Sequence, residues 1–93
     1  MNLNELTKDG VYVIDFYADW CGPCRMQGAE LERMEDVNII KVNVDEEQEL
    51  AMKYGVMSIP TLMFFKNGLE TEHKNIGFMS EEQIRSVLDQ IKD

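Results

Sequence analysis

An α/β fold, with a mixed four-stranded sheet and helices on both faces, is predicted by three observations. The run Val11–Tyr17 is β-branched and aromatic, with apolar side chains on both faces, as in a central strand covered from two sides. A helical pattern then leads to a second strand, and a strand–helix–strand order implies a right-handed parallel crossover. Finally, Asn67-Gly68 is a hairpin turn signal between two further strands, which must be antiparallel.

The elements follow in the order αβαβαββα. Residues 2–9 read as a short helix capped by Asn2, with Leu3 and Leu6 on one face and Gly10 as its stop. In Val11–Tyr17 one residue breaks the apolar pattern: Asp15 shares a face with Val11 and Val13, so an acid points inward. The next helix is expected to start near Cys21–Cys24, since Pro23 suits a first turn. Its stripe reads Cys24, Gly28, Leu31 and Met34. Ile39–Val44 reads as the second strand. Asp45 is expected to cap a third helix, with Gln48 three residues on and Gly55 as the stop. Thr61–Lys66 and the polar edge strand Leu69–Ile76 flank the turn. The last helix opens on a Ser80/Gln83 capping box, and Ile84, Val87, Leu88 and Ile91 give its i, i+3, i+4, i+7 stripe.

Ninety-three residues suit one domain, spanning 1–93, with one core. No apolar run approaches the ~20 residues of a membrane helix. No basic start followed by an apolar stretch opens the chain, so no secretory signal is expected and a cytoplasmic location is. Lys and Arg number 9 against 18 Asp and Glu, a formal net charge of −9. Such a chain repels phosphate backbones and disfavours nucleic acid as a partner.

Cys21 and Cys24 are the only cysteines. A bridge between them closes a tiny loop and adds little stability, so chemistry is the better reason for the pair. At i and i+3 on a helix's first turn they share a face, about 5–6 Å apart, within disulfide range. Cys21 sits where backbone N–H groups are unpaired and the helix dipole is positive, which favours thiolate and marks it as the accessible nucleophile. Cys24, one turn further in, is placed to attack a mixed disulfide on Cys21. Two alternatives stand beside redox chemistry. Zinc needs about four ligands, and beyond these cysteines there is only His73, which reads as a solvated residue of the edge strand. The other is a pair of buried, inert cysteines.

The segment Val13-Ile14-Asp15-Phe16-Tyr17-Ala18-Asp19-Trp20-Cys21-Gly22-Pro23-Cys24 resembles the active-site segment of the thioredoxin family. Ser58-Ile59-Pro60-Thr61, the Phe64-Phe65-Lys66-Asn67-Gly68 hairpin and Gly77 extend the resemblance over nearly everything from Val11 onward. It implies a thioredoxin-like fold and a protein dithiol–disulfide oxidoreductase that reduces protein disulfides. Cys21 is implied as the attacking and Cys24 as the resolving cysteine. Asp15 matches the buried acid that assists proton transfer at the resolving cysteine, and Lys41 the lysine near it. Ile59-Pro60 matches a cis-proline loop facing the disulfide. Gly22 and Pro23 between the cysteines, with Trp20, Ile59, Pro60, Gly77 and Phe78, are implied as the surface where partner polypeptides lie. For Phe78 and Met79 core packing is the competing role. The implied partners are disulfide-containing proteins and an upstream thioredoxin reductase, and the implied state is a monomer with no metal and no cofactor.

The sequence also departs from the family pattern. Only ten residues precede Val11, so the family's first edge strand is expected to be missing, with the sheet edge exposed or covered by Met1–Asp9. Ala29 stands in place of a helix-kinking proline, and Tyr17 in place of a second tryptophan. Two rival functions remain. An oxidase or isomerase would need its reduced form stabilised by a charge between the cysteines, which Gly22-Pro23 does not supply. A binding module or protein subunit would use the fold with redox activity incidental.

Overall fold

A computed structural model describes residues 1–92. The elements are α1 (Leu3–Leu6), β1 (Val11–Tyr17), α2 (Gly22–Glu32), β2 (Asn38–Asn43), α3 (Gln48–Lys53), β3 (Thr61–Lys66), β4 (Leu69–Ile76) and α4 (Glu81–Ile91). The sheet runs β2-β1-β3-β4. β1 is parallel to β2 and antiparallel to β3, and β4 is antiparallel to β3. The expected order and pairing senses are all present.

The strand alternation sorts side chains onto two faces. Val13, Leu62 and Phe64 pack with Leu31 and Met34 and with Met79, Ile84 and Ile91, beneath α2 and α4. Ile14, Phe16, Val42, Met63 and Phe65 face the other way, against Leu3 and Leu50 from the α1 and α3 side. Burying one such side chain contributes about 1.5–3 kcal/mol. β1 lies between two paired strands and beneath helices on both faces, which is why its pattern lacks polar–apolar alternation.

α1 is shorter than expected. Asn2 does cap it, accepting from the Glu5 N–H, but the helix ends at Leu6, and Leu6 is exposed while Thr7 is fully buried. The Thr7 hydroxyl donates to Leu3 O, and Thr7 O accepts from Gly68 N–H. This segment grips the β3–β4 hairpin and does not pair with β2 as a strand. β2 is thus an outer edge of the sheet, with no strand before β1 among the described residues. The hairpin turn has positive φ at both Asn67 and Gly68, as the Asn-Gly pair predicts. Between Met63 and Phe65 the β3–β4 register slips, and the Thr71 hydroxyl donates to Phe64 O there.

Three further expectations need correction. Met34 is buried but lies beyond the end of α2. β2 starts and ends one residue earlier than read. Asp45 does not cap α3: Glu47 is the N-cap residue and makes no side-chain cap bond. The Ser80/Gln83 capping box of α4 is complete.

Candidate active site

Cys21 is the N-cap residue of α2, in extended conformation (φ −90°, ψ 112°), with Pro23 in the first turn. The chain enters the helix there because Pro23 needs no N–H partner and its ring presets a helical φ. Cys24 N–H points back at Cys21 Sγ, 3.2 Å away. The two cysteines form a disulfide, with Cα atoms 5.2 Å apart. Cys21 is 5% and Cys24 4% exposed, so burial alone does not make Cys21 the accessible one. What distinguishes it is position: its sulfur receives the helix's first-turn N–H.

Two loops close on this end of α2. Ile59 O lies 3.9 Å from Cys21 Sγ, and the Ile59–Pro60 peptide is cis. Pro60 O accepts from Gly77 N–H at 2.8 Å, tying the second loop to the first. Gly77 has φ +100°, a region a side chain would disfavour. Trp20 is 70% and Phe78 42% exposed, flanking the site, whereas Met79 belongs to the core. Gly22 and Pro23 are exposed and Pro60 is buried. Core packing therefore describes Met79 and not Phe78.

Asp15 is fully buried, and neither carboxylate oxygen has a hydrogen-bond partner among the described residues. Burial pushes its pKa up to about 6, with the charge of Lys41 pulling partly back. Desolvation therefore wins over the nearby cation. In the β1–β2 register Asp15 stands opposite Lys41, on the sheet face covered by α2. Lys41 Nζ lies over the Tyr17 ring, 4.5 Å from its centre. Tyr17, Cys24, Gly28 and Lys41 line one open cleft of about 370 Å³, so the second cysteine and the lysine share a space. A Cβ on Gly28 would sit 3.4 Å from Lys41 Nζ.

Two residues of this region escape sequence reasoning. Gln27 is fully buried, and its amide pairs with the backbone of Met79. Its position was readable, since 24, 27, 28 and 31 form one helical face, but a polar side chain there was assigned to no role. Asp45, read as a cap, instead accepts from Trp20 Nε1. His73 is half-buried with its ring edge-on to Phe64 and is not fully solvated.

The thioredoxin family model matches residues 2–90. Thioredoxin from Bacillus subtilis is 44% identical over 87 residues, covering 88% of this chain and 83% of that protein. Thioredoxin from Staphylococcus haemolyticus is 43% identical over 93 residues, covering 95% and 88%. Among solved structures, a point mutant of thioredoxin from Halobacterium salinarum superposes with a TM-score of 0.85 at 34% identity, covering 95% of this chain and 80% of that one. Fasciola hepatica thioredoxin gives 0.84 at 35% identity, covering 97% and 88%. With a Cys-x-x-Cys pair at the head of α2 and likeness of this extent in both sequence and fold, the chain belongs to the thioredoxin family and is a protein thiol–disulfide oxidoreductase.

Proposed function

We propose that this protein reduces protein disulfides, with Cys21 as the attacking and Cys24 as the resolving cysteine. The Cys24 N–H directed at Cys21 Sγ carries this reading, because that donor and the helix dipole stabilise a thiolate on Cys21. The reduced protein's Cys21 thiolate attacks one sulfur of a substrate disulfide. The substrate S–S bond breaks, its other sulfur leaves as a thiolate and takes a proton, and Cys21 is left in a mixed disulfide. Cys24 then loses its proton to the Asp15 carboxylate and attacks Cys21 Sγ. The substrate departs with two electrons, and the Cys21–Cys24 disulfide remains. Asp15 suits this step because its pKa of about 6 leaves it mostly ionised at neutral pH yet more basic than an ordinary carboxylate. Lys41 tunes that basicity.

Trp20, Gly22, Pro23, Ile59, Pro60, Gly77 and Phe78 form the surface that receives the polypeptide. The exposed rings of Trp20 and Phe78 support this, as does the linkage of the Ile59-Pro60 and Gly77 loops. A thioredoxin reductase supplies the two electrons that restore the dithiol, making the protein an electron carrier in cell redox homeostasis. We place it in the cytoplasm as a monomeric single domain over 1–93. No helix is long and apolar enough to cross a membrane among the described residues.

The test is reduction of insulin disulfides by the wild type, Cys21→Ser and Cys24→Ser. Only the wild type is expected to turn over. Cys24→Ser is expected to trap proteins as mixed disulfides on non-reducing gels, and Cys21→Ser is not. Equal trapping by both variants would reverse the cysteine assignment. Full insulin reduction by Cys21→Ser would remove the exchange mechanism.

A further inference from the structure

We propose that Gln27 is a positioning residue for protein substrates, setting the Gly77–Met79 segment against the head of α2. Gln27 lies three residues after Cys24 and is fully buried. Its Nε2 donates to Met79 O at 2.9 Å, and its Oε1 accepts from Met79 N–H at 2.7 Å. Two bonds to one residue's backbone fix both distance and orientation, as a strand partner would. A single bond would leave the segment free to pivot.

The other end of the segment is also tied. Gly77 N–H donates to Pro60 O at 2.8 Å, and Asn75 Nδ2 donates to Gly77 O at 3.1 Å. Phe78 stands between the two anchors and is 42% exposed. Its own N–H and C=O make no hydrogen bond among the described residues, so an extended polypeptide could pair with them. Through Gln27, the helix that carries the disulfide also sets how Phe78 is presented beside it.

An apolar residue at 27 would fill the space but strand the N–H and C=O of Met79, a residue only 6% exposed. Buried backbone groups do not stay unpaired, so the segment would shift toward other partners. A small disulfide that meets Cys21 alone would not register that shift. A polypeptide lying across Phe78 would. The inference rests on the proposed role of Gly77 and Phe78 in receiving polypeptides.

The experiment compares wild type, Gln27→Met, Gln27→Leu and Phe78→Ala on insulin and on a small aromatic disulfide. For the Gln27 variants we expect KM for insulin to rise about five- to tenfold. We expect kcat to stay within about twofold, and kcat/KM for the small disulfide likewise. A folded Gln27 variant with unchanged insulin KM, or with equal losses on both substrates, overturns the proposal. If Phe78→Ala leaves the insulin KM unchanged, the surface reading fails and the proposal falls with it. If Phe78→Ala raises KM and the Gln27 variants do not, only the Gln27 proposal fails. Hydrogen exchange of the wild type keeps the question open to test should neither Gln27 variant fold. The Met79 amide should then exchange at least about 10²-fold more slowly than that of Phe78, and comparable rates overturn the clamp.

Discussion

The indole N–H of Trp20 donates to the Asp45 carboxylate at 2.9 Å, joining the residue before the first cysteine to the loop between β2 and α3. Asp45 lies two residues before Glu47, the N-cap residue of α3, so its carboxylate serves the indole and not the helix. The Asp45 side chain is taken up by Trp20, while its N–H donates to Asn43 Oδ1. Trp20 is 70% exposed, yet its indole is held by its polar edge.

Replacing Asp45 by Ala should therefore release the indole with little effect on the fold. An exposed bond of this kind contributes about 1 kcal/mol or less, so the melting temperature should move by only a few degrees. Trp20 is the sole tryptophan, and a disulfide quenches a nearby excited indole. Wild-type emission should change on reduction. In Asp45→Ala that change should shrink as the ring moves away from one fixed position. Emission titrations with a reductant check this. Identical responses in both proteins would mean that Asp45 does not hold the ring.

The hairpin tip offers a purely structural test. Gly68 has φ +88°, and a Cβ there would lie 3.1 Å from Asn4 O in the α1 segment. Asn4 Nδ2 donates to Gly68 O at 2.8 Å, so that segment has little freedom to retreat. Gly68→Ala should lose about 1–3 kcal/mol, part from the left-handed backbone and part from the contact. Insulin reduction below the melting range should be unaffected. An unchanged denaturation midpoint would mean that α1 yields freely.

Most of the fold was legible because its signals are local. The two-faced apolar run at Val11–Tyr17, interrupted only by Asp15, the Asn67-Gly68 turn and the Ser80/Gln83 box each carry their geometry within a few residues. The cysteine pair is likewise local, since its spacing and Pro23 place both sulfurs on the first turn of α2. What could not be read depends on partners distant in sequence. Asp45 has a cap's local sequence, but α3 starts with Glu47 as its N-cap residue and the Asp45 carboxylate accepts from an indole 25 residues away. Gln27 finds its partner 52 residues on, at a backbone that no side-chain pattern reveals. Leu6 and Thr7 exchanged roles because the hairpin takes the backbone of Thr7. Asp15 falls between these cases. Its burial followed from strand alternation, but the lack of a hydrogen-bond partner among the described residues needed the packed core to show it.

The acid's titration should govern stability. The folded pKa of Asp15 is about 6 against an ordinary value of 3.8, because burial penalises the charge. The native state thus holds this proton more tightly than the unfolded chain. The resulting stability is fully present below the unfolded pKa and is lost as pH rises through about 6. Above that, the ionised carboxylate costs the fold about 3 kcal/mol. Asp15→Asn and Asp15→Ala should raise stability at pH 7–8 by about 1–3 kcal/mol, Ala gaining less because it leaves a void. The gain should fade as pH falls from about 6 to about 4, between the folded and unfolded pKa values. Turnover on insulin should fall roughly tenfold or more, while the first attack by Cys21 keeps its rate. Denaturant curves against pH, beside single-turnover kinetics, decide the matter. Destabilised variants with normal turnover would return Asp15 to a structural role.

Lys41 supplies the opposing pull on that proton, and the pH-dependent part of its removal tests Asp15. Lys41→Met keeps the aliphatic length beside Gly28 but removes the charge that lowers the Asp15 pKa. The folded pKa should then move above 6, and the pH at which wild-type stability is lost should move up with it. The contact with the Tyr17 ring disappears as well, a loss of about 0.5–1 kcal/mol that does not vary with pH in this range. The two effects separate in the double variant. In Asp15→Asn the proton site is absent, so adding Lys41→Met should cost only the pH-independent part. Stability measured from pH 5 to pH 9 in all four proteins supplies the cycle. If the pH-dependent part of the Lys41→Met effect persists without Asp15, the lysine acts on some other group, and its coupling to the buried acid is wrong.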